Sequence, residues 1–405
     1  MSDEQGPTPP AERIVGLDAL RGFALLGILV INIRLFSMPE VVLLNPTAYG
    51  GFAGANYWAW FAGHVLVEQK FITLFTMLFG AGVLLFVRNR DRDGAPALFL
   101  HFRRSTWLIL FGLAHAYLLW YGDVLVAYGV TALWAVFARG KSPRWLAVVG
   151  VALLAVPSAT EIAVALFADL SSFAQSWQPT EAALRAEVAT YRGGWLEQMD
   201  HRVPTSYRRQ TAGYLAATGW RVGGSMLLGM ALFERGVLTN DRSPRFYRRL
   251  VVAGGVAGLV PTLAGAWFIH ANDWAARAGL LWQEFYYWGS FPLALAYVGL
   301  VMLYATRRPD GRLTRTLAAV GRTAFSNYLL QSVLATTVFY GHGLGWFGRV
   351  SRAEALGVVA AIWVVQVLLS VRWLRRYRYG PMEWLWRALT YGERPPLRIE
   401  TEREQ

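Results

Sequence analysis

The chain has 405 residues, of which 55% are hydrophobic, 14% aromatic and only 16% charged, with a mean hydropathy of +0.32; a soluble domain carries about 25% charge, so apolar runs near 20 residues mark a polytopic helical membrane protein. The formal net charge of +13 sits in arginine-rich segments between those runs, which assigns it to membrane topology and anionic lipid headgroups and excludes a nucleic-acid partner. With no cysteine, disulfides and thiolate chemistry are excluded as well.

Residues 1–16 form a polar, proline-bearing lead-in without the basic start or small-residue cleavage site of a signal peptide. The first span, Gly16 to Phe36, then sets polar groups at chosen heights. Asp18 and Arg21 lie one turn apart, and Asn32 comes eleven residues after Arg21. That is almost three whole turns, so Arg21 and Asn32 share a face at opposite membrane depths. An amide inside hydrocarbon needs a partner, which is either a neighbouring helix or a polar cavity. Arg34 follows near the far end.

Turn signals at Asn45-Pro46 and Gly50-Gly51 make 38–57 a loop. WAWFAGHVLVEQK, over 58–70, is too short and polar to span and reads as an interfacial or re-entrant helix. Span 2 follows over 71–87, where Gly80 and Gly82 would permit close helix contact or a bend. Spans 3 and 4, about 104–120 and 122–138, are separated only by Tyr121-Gly122 and must form a tight hairpin. Span 5 covers about 144–168. The segment 169–212 is the longest polar stretch, too small for a catalytic domain but able to cover a cavity. Later spans fall at about 213–234, 250–269 with Pro261 expected to kink it, 283–305, 317–340 and 352–371.

This gives an all-α bundle of about ten transmembrane helices, one domain over 17–371, and a basic aromatic cytoplasmic tail over 372–405. Basic segments at 88–104, 139–144, 235–249, 307–315 and the tail all fall on one side. The positive-inside pattern makes that side cytoplasmic and puts both termini there.

Three places carry polar groups suited to chemistry. In GRTAFSNYLLQS of span 9, Arg322 and Ser326 are four apart, as are Asn327 and Gln331, with Tyr328 and Ser332 beside them. This face is either a hydrogen-bonded helix interface or the wall of a substrate or cofactor channel. His115 sits eleven residues after Arg104 and is either a functional or a satisfied structural histidine, and Asp123 across the hairpin is placed to orient an imidazole or to balance an arginine. His64 precedes Glu68 by four residues, a spacing for a base and its orienting carboxylate or for a plain surface pair. The histidine spacing provides no metal site, and there is no HExxH, Walker A loop, dinucleotide fingerprint or GxSxG elbow.

LDALRGFALLGILVIN, FITLFTMLFGAG, GLAHAYLLWYGDVLVAYG, GRTAFSNYLLQS and GPMEWLWRALTYG, taken in order, resemble the DUF418 (YeiB-like) family of bacterial inner-membrane proteins. The resemblance runs from about Leu17 to Tyr391 and implies a multi-pass protein of the bacterial cytoplasmic membrane. The LDALRG opening with Asn32 is also similar to the first helix of membrane acyltransferases of the heparan-glucosaminide N-acetyltransferase group. There an asparagine matches Asn32, and a histidine soon after the first helix serves in acetyl transfer; His64 is the histidine of that region, at a different spacing. The wider acyltransferase-3 group has a histidine where this chain has Asn32.

The resemblance implies acyl transfer from a cytoplasmic donor such as acyl-CoA to a hydroxyl or amine acceptor, with no permanently bound cofactor. Arg21, Arg103, Arg104 and Arg322 would neutralise the donor's phosphates. His64 or His115 would act as base, Asp123 would orient, and Asn32 would hold the acceptor or the oxyanion. Asp18, Asn327, Tyr328 and Gln331 would line the substrate. Two other readings use the same residues: transport or flipping of a lipid-linked or small anionic solute, and a non-enzymatic membrane scaffold, oligomeric or not.

Overall fold

The computed structural model describes residues 15–92 and 96–399. Nearly all of the lead-in expected over 1–16, three residues of the first basic loop and the last six of the tail lie outside them. The described chain is all-α, with a single antiparallel bridge between Tyr377 and Arg398. In order come α1 (Val15–Ser37), a single turn α2 (Val41–Leu44), α3 (Gly54–Leu66), α4 (Lys70–Arg92) and α5 (Ala97–Ala114). A π-helical turn, His115–Leu119, extends α5, and a 3-10 turn, Val136–Ala138, extends α6 (Leu125–Ala135). After α7 (Pro143–Phe167) the polar segment folds as α8 (Ser171–Trp177), α9 (Glu181–Arg192) and α10 (Met199–Gln210). A second π-helical turn, Tyr214–Thr218, opens α11 (Gly219–Glu234). Then follow α12 (Pro244–Ala271), α13 (Ala276–Arg307), α14 (Arg312–Arg322), α15 (Ala324–Phe339), α16 (Arg352–Trp373) and α17 (Pro381–Tyr391).

Local chemistry explains where the long helices begin. Ser142 and Ser243 each precede a proline at the first helical position, and each hydroxyl accepts from the backbone N–H three residues on, Trp145 and Phe246. Ser351 and Glu354 form a reciprocal capping box at the head of α16.

About ten spans were expected. Among the described residues, six stretches are long and apolar enough to cross a bilayer on their own: Val15–Ser37, Gly54–Arg90, Pro143–Phe167, Pro244–Ala271, Ala276–Arg307 and Arg352–Trp373. The other expected spans coincide with interrupted helices. The run expected over 317–340 breaks at Thr323 into α14 and α15, and α5 and α11 each adjoin a π-helical turn. Hydropathy read along the sequence does not register such breaks.

Burial separates inner helices from outer ones. In the apolar windows of α1, the α3–α4 stretch and α13, 67%, 67% and 61% of residues are buried; in α7, α12 and α16 the shares are 22%, 28% and 28%. The outer three present apolar side chains such as Phe167, Val252 and Val364 outward, as lipid-facing helices do. Backbones meet where glycine allows it. A Cβ on Gly80 would lie 2.2 Å from the Met226 carbonyl, and one on Gly229 would lie 1.9 Å from that of Met77, so α4 and α11 cross in direct contact. Gly82 faces open space and makes no such contact.

Two layers close the ends of the bundle. Beside the C-terminal end of α1, Tyr191 of α9 stacks on Phe347 at 4.7 Å, and Trp177 Nε1 of α8 donates to the Trp274 carbonyl at 2.8 Å. At the opposite end α17 folds back. Glu383 accepts from the backbone N–H groups of Phe325 and Ser326 at 2.6 and 3.1 Å, capping α15. The GRTAFSNYLLQS and GPMEWLWRALTYG segments are thereby joined.

Candidate functional site

The first polar centre forms where α3 ends. Val67–Gln69 leave the helix, with Gln69 at a left-handed φ of 63°, and this turn brings Glu68 back onto His64. Nδ1 of His64 lies 3.0 Å from Glu68 Oε2. A carboxylate only accepts, so Nδ1 carries the proton and Nε2 of the neutral ring presents its lone pair. Arg34, from the end of α1, donates to the carbonyls of Ala59 and Trp60 at 3.3 and 3.2 Å and lies 3.9 Å from Glu68. Lys70 Nζ donates to the His64 carbonyl at 2.7 Å.

The imidazole is boxed by aromatic rings. Trp60 stacks on it with centroids 5.2 Å apart and 8° between planes. Trp282 is 4.9 Å away and Tyr286 presents an edge contact at 4.8 Å. Inside this box, His64 Nε2 and Trp282 Nε1 are both buried and have no hydrogen-bond partner among the described residues. An orphan acceptor and an orphan donor thus lie on neighbouring rings, a state that native interiors rarely tolerate without a bound group.

Further polar groups continue from Lys70. Arg221 of α11 donates to Thr73 and Ser290 at 2.9 and 3.2 Å, and Ser158 donates to Glu284, which Glu161 adjoins. Sequence reasoning passed over Arg221, Glu161 and Glu284. Their signal was present, since each is an ionisable residue within or bordering an apolar run.

The second centre joins the α5–α6 hairpin to α15. His115 opens the π-helical turn after α5, and its Nδ1 donates to Asp123 Oδ1 at 2.8 Å. The other oxygen of Asp123 accepts from the Val126 backbone N–H at 2.8 Å, which fixes the carboxylate at the head of α6. On the far edge of the ring, Nε2 lies 2.8 Å from the Ser332 hydroxyl of α15. His115 and Ser332 are 2% and 1% exposed. Tyr328, one turn before Ser332, packs its ring 5.0 Å from His115, and its hydroxyl accepts from the Val124 backbone N–H at 3.3 Å. Pairing of His115 with Asp123 was expected; Ser332 as its partner was not, because 217 residues separate them.

Two relatives match nearly the whole chain. It is 36% identical to YeiB, an uncharacterized protein of Escherichia coli (strain K12), over 402 residues, 97% of this chain and 100% of that one. It is 29% identical to YxaH, an uncharacterized protein of Bacillus subtilis (strain 168), over 98% of each chain. Residues 232–393 match the family described as a protein of unknown function, DUF418. The chain belongs to the DUF418 family.

In this DUF418 protein the remaining candidate residues separate into three groups. Asn327 and Gln331 are engaged between helices: Asn327 donates to Ser370 of α16 at 2.8 Å, and Gln331 to Gln366 at 3.2 Å and to the Leu25 carbonyl at 3.3 Å. Asn32 is half-buried, and its side chain makes no hydrogen bond among the described residues. The arginines lie at the end of the bundle closed by α17. Arg21 pairs with Asp18 at 2.8 Å, and Arg104 lies near Arg21 and Arg387, its guanidinium 4.3 Å from the Trp386 ring. Arg103 sits beside Gly392. Arg322 donates to the Arg378 carbonyl at 3.3 Å; the break at Thr323 leaves it on α14, apart from Ser326 on α15. Among the described residues no group of three His, Asp or Glu side chains comes together to hold a metal ion.

Proposed function

We propose that this DUF418 protein transfers an acyl group, from a donor such as acyl-CoA, to a hydroxyl or amine acceptor in the bacterial cytoplasmic membrane. The observation that carries this reading is the unpartnered Nε2 of a fully buried imidazole whose other nitrogen is held by Glu68. One hydroxyl would satisfy both orphans of the box, donating to His64 Nε2 and accepting from Trp282 Nε1. The acceptor oxygen then loses its proton to His64 and attacks the acyl carbonyl. The C–O bond forms as the C–S bond breaks, and the thiolate leaves with the proton. Asn32, half-buried on α1, serves the oxyanion.

In this reading the interrupted helices α5, α6, α11 and α14–α15 also cross the bilayer. About ten spans result, with both termini and the Arg21, Arg103 and Arg104 end in the cytoplasm, where the donor's phosphates are met. The acceptor end lies outside, under α8–α10, with anionic lipids around the basic rim. The test is release of free CoA from acyl-CoA by the protein in nanodiscs containing native lipid. His64→Gln should lower it by about a hundredfold or more; equal release by that variant overturns the reading.

The ionisable groups Arg221, Lys70, Glu161 and Glu284 favour a second reading, passage of a small anionic solute along the same interior. Counterflow of solute in proteoliposomes without CoA release would support it over acyl transfer.

A further inference from the structure

We infer that Ser332, His115 and Asp123 form a serine-nucleophile centre, separate from the His64 box, that takes an acyl group as an ester on Ser332 Oγ. The α5–α6 hairpin, which carries His115 and Asp123 eight residues apart, and α15, which supplies Ser332 from 217 residues away, bring the three side chains together, with heavy-atom separations of 2.8 Å at both hydrogen bonds. The order of roles follows from donor and acceptor capacity. Asp123 can only accept, so it fixes the proton on Nδ1, and Nε2 must accept from the Ser332 hydroxyl. The carboxylate is itself anchored by the Val126 N–H, so the imidazole is oriented from behind as a general base requires. This arrangement recurs on unrelated folds and is recognised by geometry and role.

Two surrounding features point to the same chemistry. His115 begins a π-helical turn, a local irregularity that recurs at functional positions in helices. Tyr328 accepts from Val124 and donates to no other group among the described residues, which leaves its phenolic hydrogen for an oxyanion one turn from Ser332. The substrate class follows from the setting. Val333, next to Ser332, and Leu118, three residues after His115, are apolar and 43% and 49% exposed. An acyl ester or thioester with a hydrocarbon tail reaches the centre from the bilayer.

The step balances. Ser332 Oγ loses its proton to His115 Nε2 and attacks the acyl carbonyl. The bond to the alkoxide or thiolate breaks, and that leaving group departs with the proton from His115. Water or an acceptor hydroxyl later releases the acyl group from Ser332 by the same exchange.

The test is labelling of the full-length protein in nanodiscs by a desthiobiotin fluorophosphonate with an alkyl linker, read by peptide mass. Ser332 should carry the adduct in folded protein and not in protein heated beforehand. Labelling in Asp123→Asn should be slower by more than about tenfold, while Gly82→Ala, a change facing open space, should label at the parent rate. If Asp123→Asn does not fold, the folded-to-heated comparison on the parent protein decides. No adduct on Ser332, an adduct only on other serines, or an unchanged rate in folded Asp123→Asn overturns the inference. Labelling needs no acyl-CoA, so failure here leaves the His64 reading standing, and failure of CoA release leaves this one standing.

Discussion

Gly22 of α1 and Gly321 of α14 meet backbone to backbone. A Cβ on Gly22 would lie 2.0 Å from the Leu317 carbonyl oxygen, and one on Gly321 would lie 1.9 Å from that of Asp18. Backbone cannot swing aside as a flexible side chain can, so one methyl group forces the two helices apart. Gly321→Ala should destabilise the protein by roughly 1–3 kcal/mol, read as a lower midpoint of thermal unfolding in detergent. Gly82→Ala, which meets nothing within 4 Å, should leave that midpoint unchanged or raise it slightly.

The Glu383 cap should be separable from the rest of α17. Its carboxylate satisfies two backbone donors at the head of α15 and accepts from the Ser326 hydroxyl at 2.5 Å. Glu383→Ala should cost about 1–2 kcal/mol. Hydrogen exchange should show the loss first at Phe325 and Ser326, and unchanged protection of those amides would refute the cap.

Stability should depend on pH through Glu187. Burial, together with the nearby Glu40 carboxylate, pushes the Glu187 carboxyl up to about 7, although the Glu40 backbone N–H donates to it at 2.9 Å. Unfolded, the group ionises near 4.5. Between those values the folded chain holds a proton that the unfolded chain has released, so stability falls as pH rises across the window. Glu187→Gln removes the penalty. Its unfolding midpoint should match the parent near pH 4, exceed it progressively towards pH 7 and stay ahead by a constant margin above that. A margin independent of pH would refute the assignment.

The amides of α15 and α16 should behave as a coupled pair. Gln331 donates to Gln366 at 3.2 Å, and Gln366 donates to the Asn327 carbonyl at 3.0 Å. Either glutamine changed to leucine should cost about 0.5–1.5 kcal/mol. The double variant should cost less than the sum, because no orphaned amide remains. Strict additivity of the midpoint shifts would show that the two side chains do not interact.

How much of this was readable beforehand depended on range. The apolar runs from Gly16 and Phe71 onward announced α1 and α4 because a bilayer demands unbroken helical hydrogen bonding. The i,i+4 spacing of His64 and Glu68 likewise announced their pairing, although Glu68 reaches the ring from a turn and not from the helix. Breaks were harder to see. Thr323 falls inside a segment that reads as one span from 317 to 340, and its hydroxyl bonds to the Ala319 carbonyl and to Ser370 are tertiary and local at once. Ser332 looked like one more small polar residue on a polar face, since nothing within reach of a local window says that His115 lies opposite. Asn327 and Gln331 looked equally chemical, and only the position of α16 shows that their amides already have partners.

The lock between Glu383 and the head of α15 has a consequence for biogenesis. Translation delivers Phe325 long before Glu383, 58 residues later, so the helix that carries Ser332 is made with its first amides unclaimed. The last-made helix finishes an early one. A nascent chain interrupted after α16 would already hold every long apolar stretch yet leave the amides of Phe325 and Ser326 without the carboxylate that caps them.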